Sequence, residues 1–143
     1  MGKYTFPISN ETMVTAKSTK RISTRSSQII CKKINNTNFK KTKKFVEGLI
    51  DKTSSINGKF YTKVSEGILE VLKQVEANAN NRGFDPDEMK LRISAHQGPK
   101  LRRGRRKSWF GSRIKVSHIH AVLEKKEKKP AEKKIIKKKE EKK

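Results

Sequence analysis

The distribution of charge along this chain constrains its fold more than any other feature. The 143 residues contain 37 Lys and Arg against 14 Asp and Glu, a formal net charge of +23. Residues 89–123 hold ten basic residues and no acid, and residues 1–46 hold eleven basic residues and one acid, whereas residues 47–88 hold five basic residues and eight acids. Because so basic a chain repels itself until a polyanion neutralises it, we expect one small domain with two kinds of surface, one binding a polyanion and one facing water.

The stretch "KLRRGRRKSWFGSR", residues 100–113, is the densest part of the basic region, with seven Lys or Arg in fourteen residues. Guanidinium groups bind phosphates in a bidentate way and stack on bases, and Trp109 and Phe110 offer further stacking surfaces. A solvated basic loop with a buried Trp would explain neither the arginine bias nor the missing acids. The stretch therefore favours nucleic acid as the polyanion.

Three segments are predicted to be helices, at about 23–34, 39–52 and 62–81. In the third, Val64, Ile68, Val71, Leu72, Val75 and Ala79 form one apolar stripe, with Gly83 following at the position expected after a helix end. In the first, Ser23 or Thr24 is a candidate N-cap. We expect these stripes to be core.

Two later segments are predicted to be strands. "MKLRISAH", residues 89–96, alternates cleanly between apolar and polar residues, and "RIKVSHIHAVL", residues 113–123, is rich in β-branched residues. Since a basic, glycine-marked excursion separates them, they predict a long hairpin. A weaker pattern at about 12–18 suggests a third strand.

Chain organisation follows from these patterns. We expect an irregular N-terminal extension (residues 1–11), one domain (residues 12–123) with an extended hairpin at about 96–118, and a Lys/Glu-rich tail (residues 124–143) too poor in apolar residues to bury a core. No apolar run approaches the ~20 residues of a membrane span, so no membrane is expected.

Catalytic and cofactor motifs are absent from the sequence. His118 and His120 lie two apart on a predicted strand and so share one face, but residues 89–123 offer them no carboxylate, and we expect structural or RNA-contacting histidines rather than metal ligands. The lone Cys31 sits among apolar neighbours and is expected in the core. We predict no enzyme, no metal and no cofactor.

The segment "QVEANANNRGFDPDEMKLRISAHQGPKLRR", followed by "SHIHAVL", resembles the large-subunit ribosomal protein family numbered twenty-two in bacteria and seventeen in eukaryotes. The family pattern is matched by an "ANAxxxG" helix end, by an "xDPD" turn at residues 84–87, by the step Gly98–Pro99, and by "SHI" at residues 117–119. "RISTRSSQII" is similar to the family's entry to its first helix. The Lys/Glu tail points to an archaeal-type member.

This resemblance implies an α+β fold of three helices on a small three-stranded antiparallel sheet, with a long extended β-hairpin and a basic, disordered-type tail. It also implies a structural constituent of the cytoplasmic large ribosomal subunit, which bridges several rRNA domains and contacts neighbouring ribosomal proteins. In the family the hairpin tip lines the nascent-peptide exit tunnel. No homo-oligomer is expected.

The predicted site has two parts. The expected rRNA contacts are Lys17, Lys20, Arg21, Arg25, Lys100, Arg102, Arg103, Arg105, Arg106, Lys107, Trp109, Arg113, Lys115 and His118. The expected tunnel tip, where a nascent peptide would pass, comprises Arg105, Arg106, Lys107, Ser108, Trp109 and Phe110. Two alternatives stay open: a free RNA-binding or RNA-chaperone protein, and an RNA-processing enzyme, which would need a carboxylate or histidine cluster near the basic groove.

Overall fold

A computed structural model describes residues 12–106 and 108–125 of the chain. The predictions for residues 1–11, for Lys107 and for the tail beyond residue 125 lie outside these described residues. The helices are α1 (Thr24–Ile34), α2 (Phe39–Ile50) and α3 (Thr62–Asn81), with a short 3₁₀ turn at Pro86–Glu88. The strands are β1 (Met13–Lys20), β2 (Thr37–Asn38), β3 (Lys90–Gln97), β4 (Leu101–Arg102), β5 (Arg113–Ile114) and β6 (Ser117–Glu124).

The main sheet is antiparallel, with the strand order β1-β6-β3-β2. The α+β class, the three helices and the three longer strands are confirmed, including the weakly indicated strand near residue 12. The main sheet also contains a strand that was not predicted from the sequence, the two-residue strand β2, which pairs with the start of β3. Strands β4 and β5 form a separate two-stranded ribbon.

The three helices contribute to one core against one face of the main sheet. Along β3 the alternating residues Leu91, Ile93 and Ala95 are buried, and along β6 the residues Ile119, Ala121 and Leu123 are inaccessible to solvent. The apolar stripe predicted for α3 meets them in the same cluster. Every second residue of a strand and every third or fourth residue of a helix points to the same side. Burial at these spacings is what packing a helical layer on a sheet requires.

Strand β1 lies at the edge of the sheet, and α3 contacts its backbone directly. Asn78 Nδ2 donates to the Thr15 carbonyl and Arg82 Nη1 donates to the Met13 carbonyl, both at 3.0 Å. An edge strand presents unpaired backbone groups on which other chains can pair. The two side chains occupy acceptors of this edge and tie α3 to the sheet.

Element ends differ from the predictions in three places. Helix α2 ends at Ile50 rather than residue 52, because Lys52 takes a left-handed conformation (φ 60°). Ser23 stands at the N-cap of α1, but its side chain makes no capping hydrogen bond. The single strand predicted at residues 113–123 is divided into β5 and β6, because the register changes between them: three residues separate Gln97 from Leu101, whereas two separate their partners Ile114 and Ser117. The helix end before Gly83 is confirmed, with φ +69° at that glycine.

Cys31 is a core residue, as its apolar neighbours in the sequence indicated. Its side chain is 3% exposed, and burial raises the pKa of the thiol to about 12. The thiolate, which is the reactive form, is therefore strongly disfavoured at neutral pH.

Candidate nucleic-acid interface

The basic stretch of the sequence forms a hairpin that continues beyond the main sheet. The last pair of β3 and β6 is Gln97 opposite Ser117. The chain then continues through β4 and β5, where Arg102 lies opposite Arg113, and the Arg103 N–H donates to the Ser112 carbonyl at 3.0 Å. A ribbon of two short strands therefore presents the basic residues apart from the helical layer.

Gly98 marks the point where the hairpin leaves the sheet. A Cβ at this position would lie 2.7 Å from Val116 Cγ1 and 3.0 Å from the Val116 backbone carbon. Both distances are shorter than ordinary packing allows, so a side chain here would force the two strands apart. The glycine of the "GP" step is thus explained by close strand approach at the hairpin base.

The tip of the hairpin exposes two large aromatic side chains. Trp109 is 79% exposed and Phe110 is 65% exposed. The turn is held by the Ser112 N–H, which donates to the Trp109 carbonyl at 3.1 Å, and Trp109 itself adopts a left-handed conformation with φ +63°. Because burial of these aromatics in the fold would stabilise it, their exposure side by side is typical of a binding surface.

Four arginines follow the hairpin toward this tip and define its charge. We call them the hairpin arginines: Arg102, Arg103, Arg105 and Arg106, all exposed. The ion pairs found among the described residues lie elsewhere, between Lys20 and Glu70, Lys40 and Asp87, Lys43 and Glu76, and Arg92 and Glu124. The hairpin arginines thus have no carboxylate partner in the described part of the chain, and their field is directed outward.

A polar cluster that the sequence analysis missed fixes the base of the hairpin to the start of α1. Ser117 Oγ is fully buried and donates to the Ile22 carbonyl at 3.0 Å, while Ser117 Oγ and Thr24 Oγ1 are hydrogen-bonded at 2.8 Å. Gln28 Nε2 adds a bond of 3.3 Å to the Ala95 carbonyl of β3. We call Ile22, Thr24 and Ser117 the base cluster. It sets where the hairpin starts relative to the helical layer.

The remaining predicted RNA contacts fall in two places. Lys100, Arg113 and Lys115 are exposed at the hairpin base, where they line a cavity of about 210 Å³ together with Thr24 and Gly98. Arg21 and Arg25 are exposed near the start of α1, so the structure brings them to the same end of the molecule. Lys20 is paired with Glu70 of α3, which neutralises part of its charge.

Lys17 and His118 belong to a different surface, the sheet face opposite the helices. In the register, Lys17 of β1 opposes His120, and His118 lies between Thr19 and His96. A hydrogen bond of 2.7 Å joins Thr19 Oγ1 and His118 Nδ1. The two predicted site residues therefore lie on a different face from the helices, with His118 directly beside the hairpin base and Lys17 further from it.

All three histidines of the chain lie on that face, and two of them are in ring contact. The rings of His96 and His120 have centroids 5.5 Å apart and are tilted by 56°. Burial lowers the pKa of His120 from 6.5, and the charges of His96, His118 and Lys17 lower it further. In residues 12–106 and 108–125, no three or more His, Cys, Asp or Glu side chains are arranged so that they could hold a metal ion.

None of the helices in the described residues combines the length and the apolar character that a bilayer crossing requires.

Comparison with known proteins gives one matching family and several archaeal relatives. A family model described as ribosomal protein L22p/L17e matches residues 15–124. The chain is 26% identical to the large ribosomal subunit protein uL22 of Sulfolobus acidocaldarius, across 86% of this chain and 98% of the relative.

Two further relatives of the same name match over a shorter region. The protein from Aeropyrum pernix is 32% identical over 54% of this chain, and the protein from Staphylothermus marinus is 33% identical over 46% of it. These alignments span only about half the length of those two relatives, 49% and 45%.

Proposed function

Because the chain belongs to the ribosomal protein L22p/L17e family, we propose that it is a structural constituent of the large ribosomal subunit, located in the cytoplasm, and has no enzymatic activity. Its partners are large-subunit rRNA and neighbouring ribosomal proteins. Its hairpin enters the rRNA and joins several rRNA domains during assembly, while the globular layer of helices and sheet stays at the surface.

One observation carries this proposal, namely the exposed and unneutralised hairpin arginines. Their guanidinium groups suit phosphates because each offers two parallel N–H donors. Each phosphate contact releases counterions, so the equilibrium affinity of the free chain for rRNA depends steeply on salt, whereas a hairpin enclosed by folded rRNA in the finished subunit is held in place. The close approach of the chain at Gly98 to Val116 holds the two sides of the hairpin together at its base.

The hairpin tip has a second proposed role, at the wall of the nascent-peptide tunnel. Trp109 and Phe110 project from the turn where a passing peptide or an unstacked base would meet them. An unstacked base and an apolar peptide side chain can each stack on these aromatic rings. We therefore expect the flanks of the tip to contact rRNA and its end to contact the peptide. Arg105, Arg106 and Ser108, also predicted for the tip, precede these two aromatics in the same turn. Lys107, also predicted for the tip, lies outside the described residues.

Charge reversal of the hairpin arginines tests the rRNA proposal. The test variant carries Arg102→Glu, Arg103→Glu, Arg105→Glu and Arg106→Glu. The matched control reverses four exposed lysines of the less basic middle segment, Lys52, Lys59, Lys63 and Lys73. Both variants lose the same net charge, and tagged copies are followed into large subunits purified from cells.

The proposal expects the hairpin variant to be reduced in large subunits by ~10-fold or more, with the control near the wild-type level. Equal incorporation of the two variants would show that net charge alone matters. Normal incorporation of the hairpin variant would overturn the proposal.

A photo-crosslinking amino acid at position 109 tests the tunnel role. In ribosomes stalled on a labelled nascent chain, it is expected to crosslink to that chain, while the same group at the partly exposed Phe60 of the globular layer is not. Crosslinks from position 109 to rRNA alone would remove the nascent peptide from the list of partners.

A further inference from the structure

The lysines of α1 and α2 divide into two sets. Lys40 donates to Asp87 at 3.0 Å, and Lys43 donates to Glu76 at 2.9 and 3.0 Å. By contrast, four exposed lysines on the same helices have no carboxylate partner among the described residues: Lys32, Lys33, Lys41 and Lys44. The acids of the middle segment therefore neutralise Lys40 and Lys43 of α2 and leave the other four lysines without a carboxylate partner among the described residues.

Helix stability does not explain the position of Lys41. It lies in the first turn of α2, which contains no acid. A cation near a helix N-terminus is unfavourable, because the macrodipole is positive there. Lys40 shares this turn but is compensated by Asp87. Lys41 has no such compensation among the described residues, so an anion from outside would relieve it.

Lys33 and Lys41 flank a groove, which we call the α1–α2 groove. It has a volume of about 300 Å³ and is lined by Lys33, Ile34, Thr37, Lys41, Thr42 and Phe45. Its floor is firm, since Ile34 and Thr42 are each 2% exposed. Phe45 is half-buried, packs against the core, and keeps part of its ring at the groove.

The hydroxyl groups in the groove are already satisfied within the protein. Thr37 Oγ1 is 2.6 Å from both the Ile34 carbonyl and Thr42 Oγ1, and Thr42 Oγ1 donates to the Asn38 carbonyl at 3.0 Å. The groove thus offers an apolar and aromatic surface with ammonium groups at its rim. This combination suits a molecule that has a flat apolar part and a negative part side by side.

We propose that the α1–α2 groove is a second RNA-binding site, which holds one unstacked nucleotide with its base against Phe45 and its flanking phosphates on Lys33 and Lys41. The choice of RNA as the occupant rests on the proposed function. Aromatic side chains with adjacent cations are the usual means of holding unpaired bases. The volume lies at the lower end of the ~300–1,000 Å³ of small-ligand sites, as a single base requires.

The groove is separate from the hairpin. Strand β2, which borders the groove at Thr37, pairs with the first residues of β3, whereas the hairpin leaves from the other end of β3 at Gln97. At ~3.3 Å per residue, the intervening strand places the two surfaces roughly 20 Å apart. The two sites therefore contact different parts of the RNA, and their losses should add.

The experiment compares two double variants of the full chain in binding to deproteinised large-subunit rRNA across a salt series. The test variant is Lys33→Gln with Lys41→Gln, and the matched control is Lys40→Gln with Lys43→Gln. All four positions are on α1 or α2, and both variants lose two positive charges. Only the test variant should flatten the dependence of log affinity on log salt, by about 1.5, at 0.7–0.9 for each lost phosphate contact.

Ultraviolet crosslinking of the wild-type complex locates the base. The expected result is a nucleotide adduct on the peptide containing Phe45, which weakens in the Lys33→Gln, Lys41→Gln variant. Circular dichroism of each variant checks that the fold is intact.

Equal salt slopes for the two double variants would overturn the groove site, and so would the absence of a nucleotide adduct on the peptide containing Phe45 when hairpin peptides do crosslink. These outcomes leave the proposed function standing if the hairpin charge reversal still weakens rRNA binding. If the hairpin charge reversal and the wild type bind rRNA alike, the proposed function itself fails.

Discussion

The base cluster predicts that Ser117→Ala lowers the free energy of unfolding more than the same substitution at an equally buried serine elsewhere. Ser117 and Ser27 are both fully buried, and each donates its hydroxyl to a backbone carbonyl, Ser117 to Ile22 and Ser27 to Ser23. Ser27→Ala is therefore a matched control with the same change in volume. The difference is that Ser117 also bonds to Thr24 and links elements 93 residues apart in sequence.

The magnitude follows from the bonds that each change removes. A typical internal hydrogen bond contributes about 1 kcal/mol, and a buried group left without its partner costs about 1–3 kcal/mol. Ser27→Ala removes one bond, and the Ser23 carbonyl keeps the backbone N–H of residue 27 as a donor at 2.9 Å. Ser117→Ala removes two bonds, so we expect a loss of about 2–3 kcal/mol against about 1 kcal/mol for the control.

Urea denaturation followed by circular dichroism measures both losses. At a slope of about 2 kcal/mol per molar urea, the midpoint should fall by about 1–1.5 M for Ser117→Ala. Hydrogen exchange at the Gly98 amide, whose bond to the Val116 carbonyl lies beside the cluster, should quicken in Ser117→Ala only. Equal losses for the two serines, with unchanged exchange at Gly98, would refute the role assigned to the cluster.

Three further predictions concern the hairpin base, the core thiol and the histidines. Gly98→Ala should lower the urea-derived stability by about 1–3 kcal/mol, because its Cβ would lie 2.7 Å from Val116; an unchanged midpoint would contradict the close approach. Cys31, with a pKa of about 12, should react with a thiol reagent at pH 8 only when urea unfolds the chain, so rapid reaction of the folded protein would disprove its burial. Since the pKa of His120 is lowered from 6.5, the unfolded chain takes up the proton first, and stability should fall as pH drops through 6.5; His120→Gln should flatten this fall, and an equal fall in both proteins would exclude His120 as its cause.

The regular parts of the fold could be predicted from the sequence because their signal is local. The stripe from Val64 to Ala79 repeats at helical spacing over many turns, and α3 has the predicted bounds. Strand β3 could be predicted because apolar and polar residues alternate strictly along it. Its apolar residues Leu91, Ile93 and Ala95 are buried, as this alternation requires. Gly83, with its positive φ, could be placed after the helix because few other residues tolerate this conformation.

The base cluster could not be predicted, because it joins residues distant in sequence. Nothing near Ser117 indicates that its hydroxyl reaches Ile22 and Thr24, and the pairing appears only when β6 is placed between β1 and β3. The contact between His96 and His120 depends on the same register. The break of the last strand before Ser117 likewise results from a change of register between the two paired chain segments, which no local pattern indicates.

For the candidate interface, the sequence indicated which residues are basic but not which of them are neutralised. The sequence gives no reason to distinguish Lys20, Lys40 and Lys43 from Lys33 and Lys41. The folded chain separates them by pairing the first three with Glu70, Asp87 and Glu76. Charge in the sequence therefore could not distinguish Lys20, which is paired, from Lys33 and Lys41, which line the α1–α2 groove.

Sedimentation on a sucrose gradient tests the central claim most directly. A cell lysate containing the tagged chain is run at moderate and at high salt, and each fraction is probed for the chain and for large-subunit rRNA. If the chain is a constituent whose hairpin passes between rRNA segments, it travels with large subunits and remains with them at high salt. A chain that stays at the top of the gradient, or leaves the subunits as salt rises, would contradict the account and favour a free RNA-binding protein.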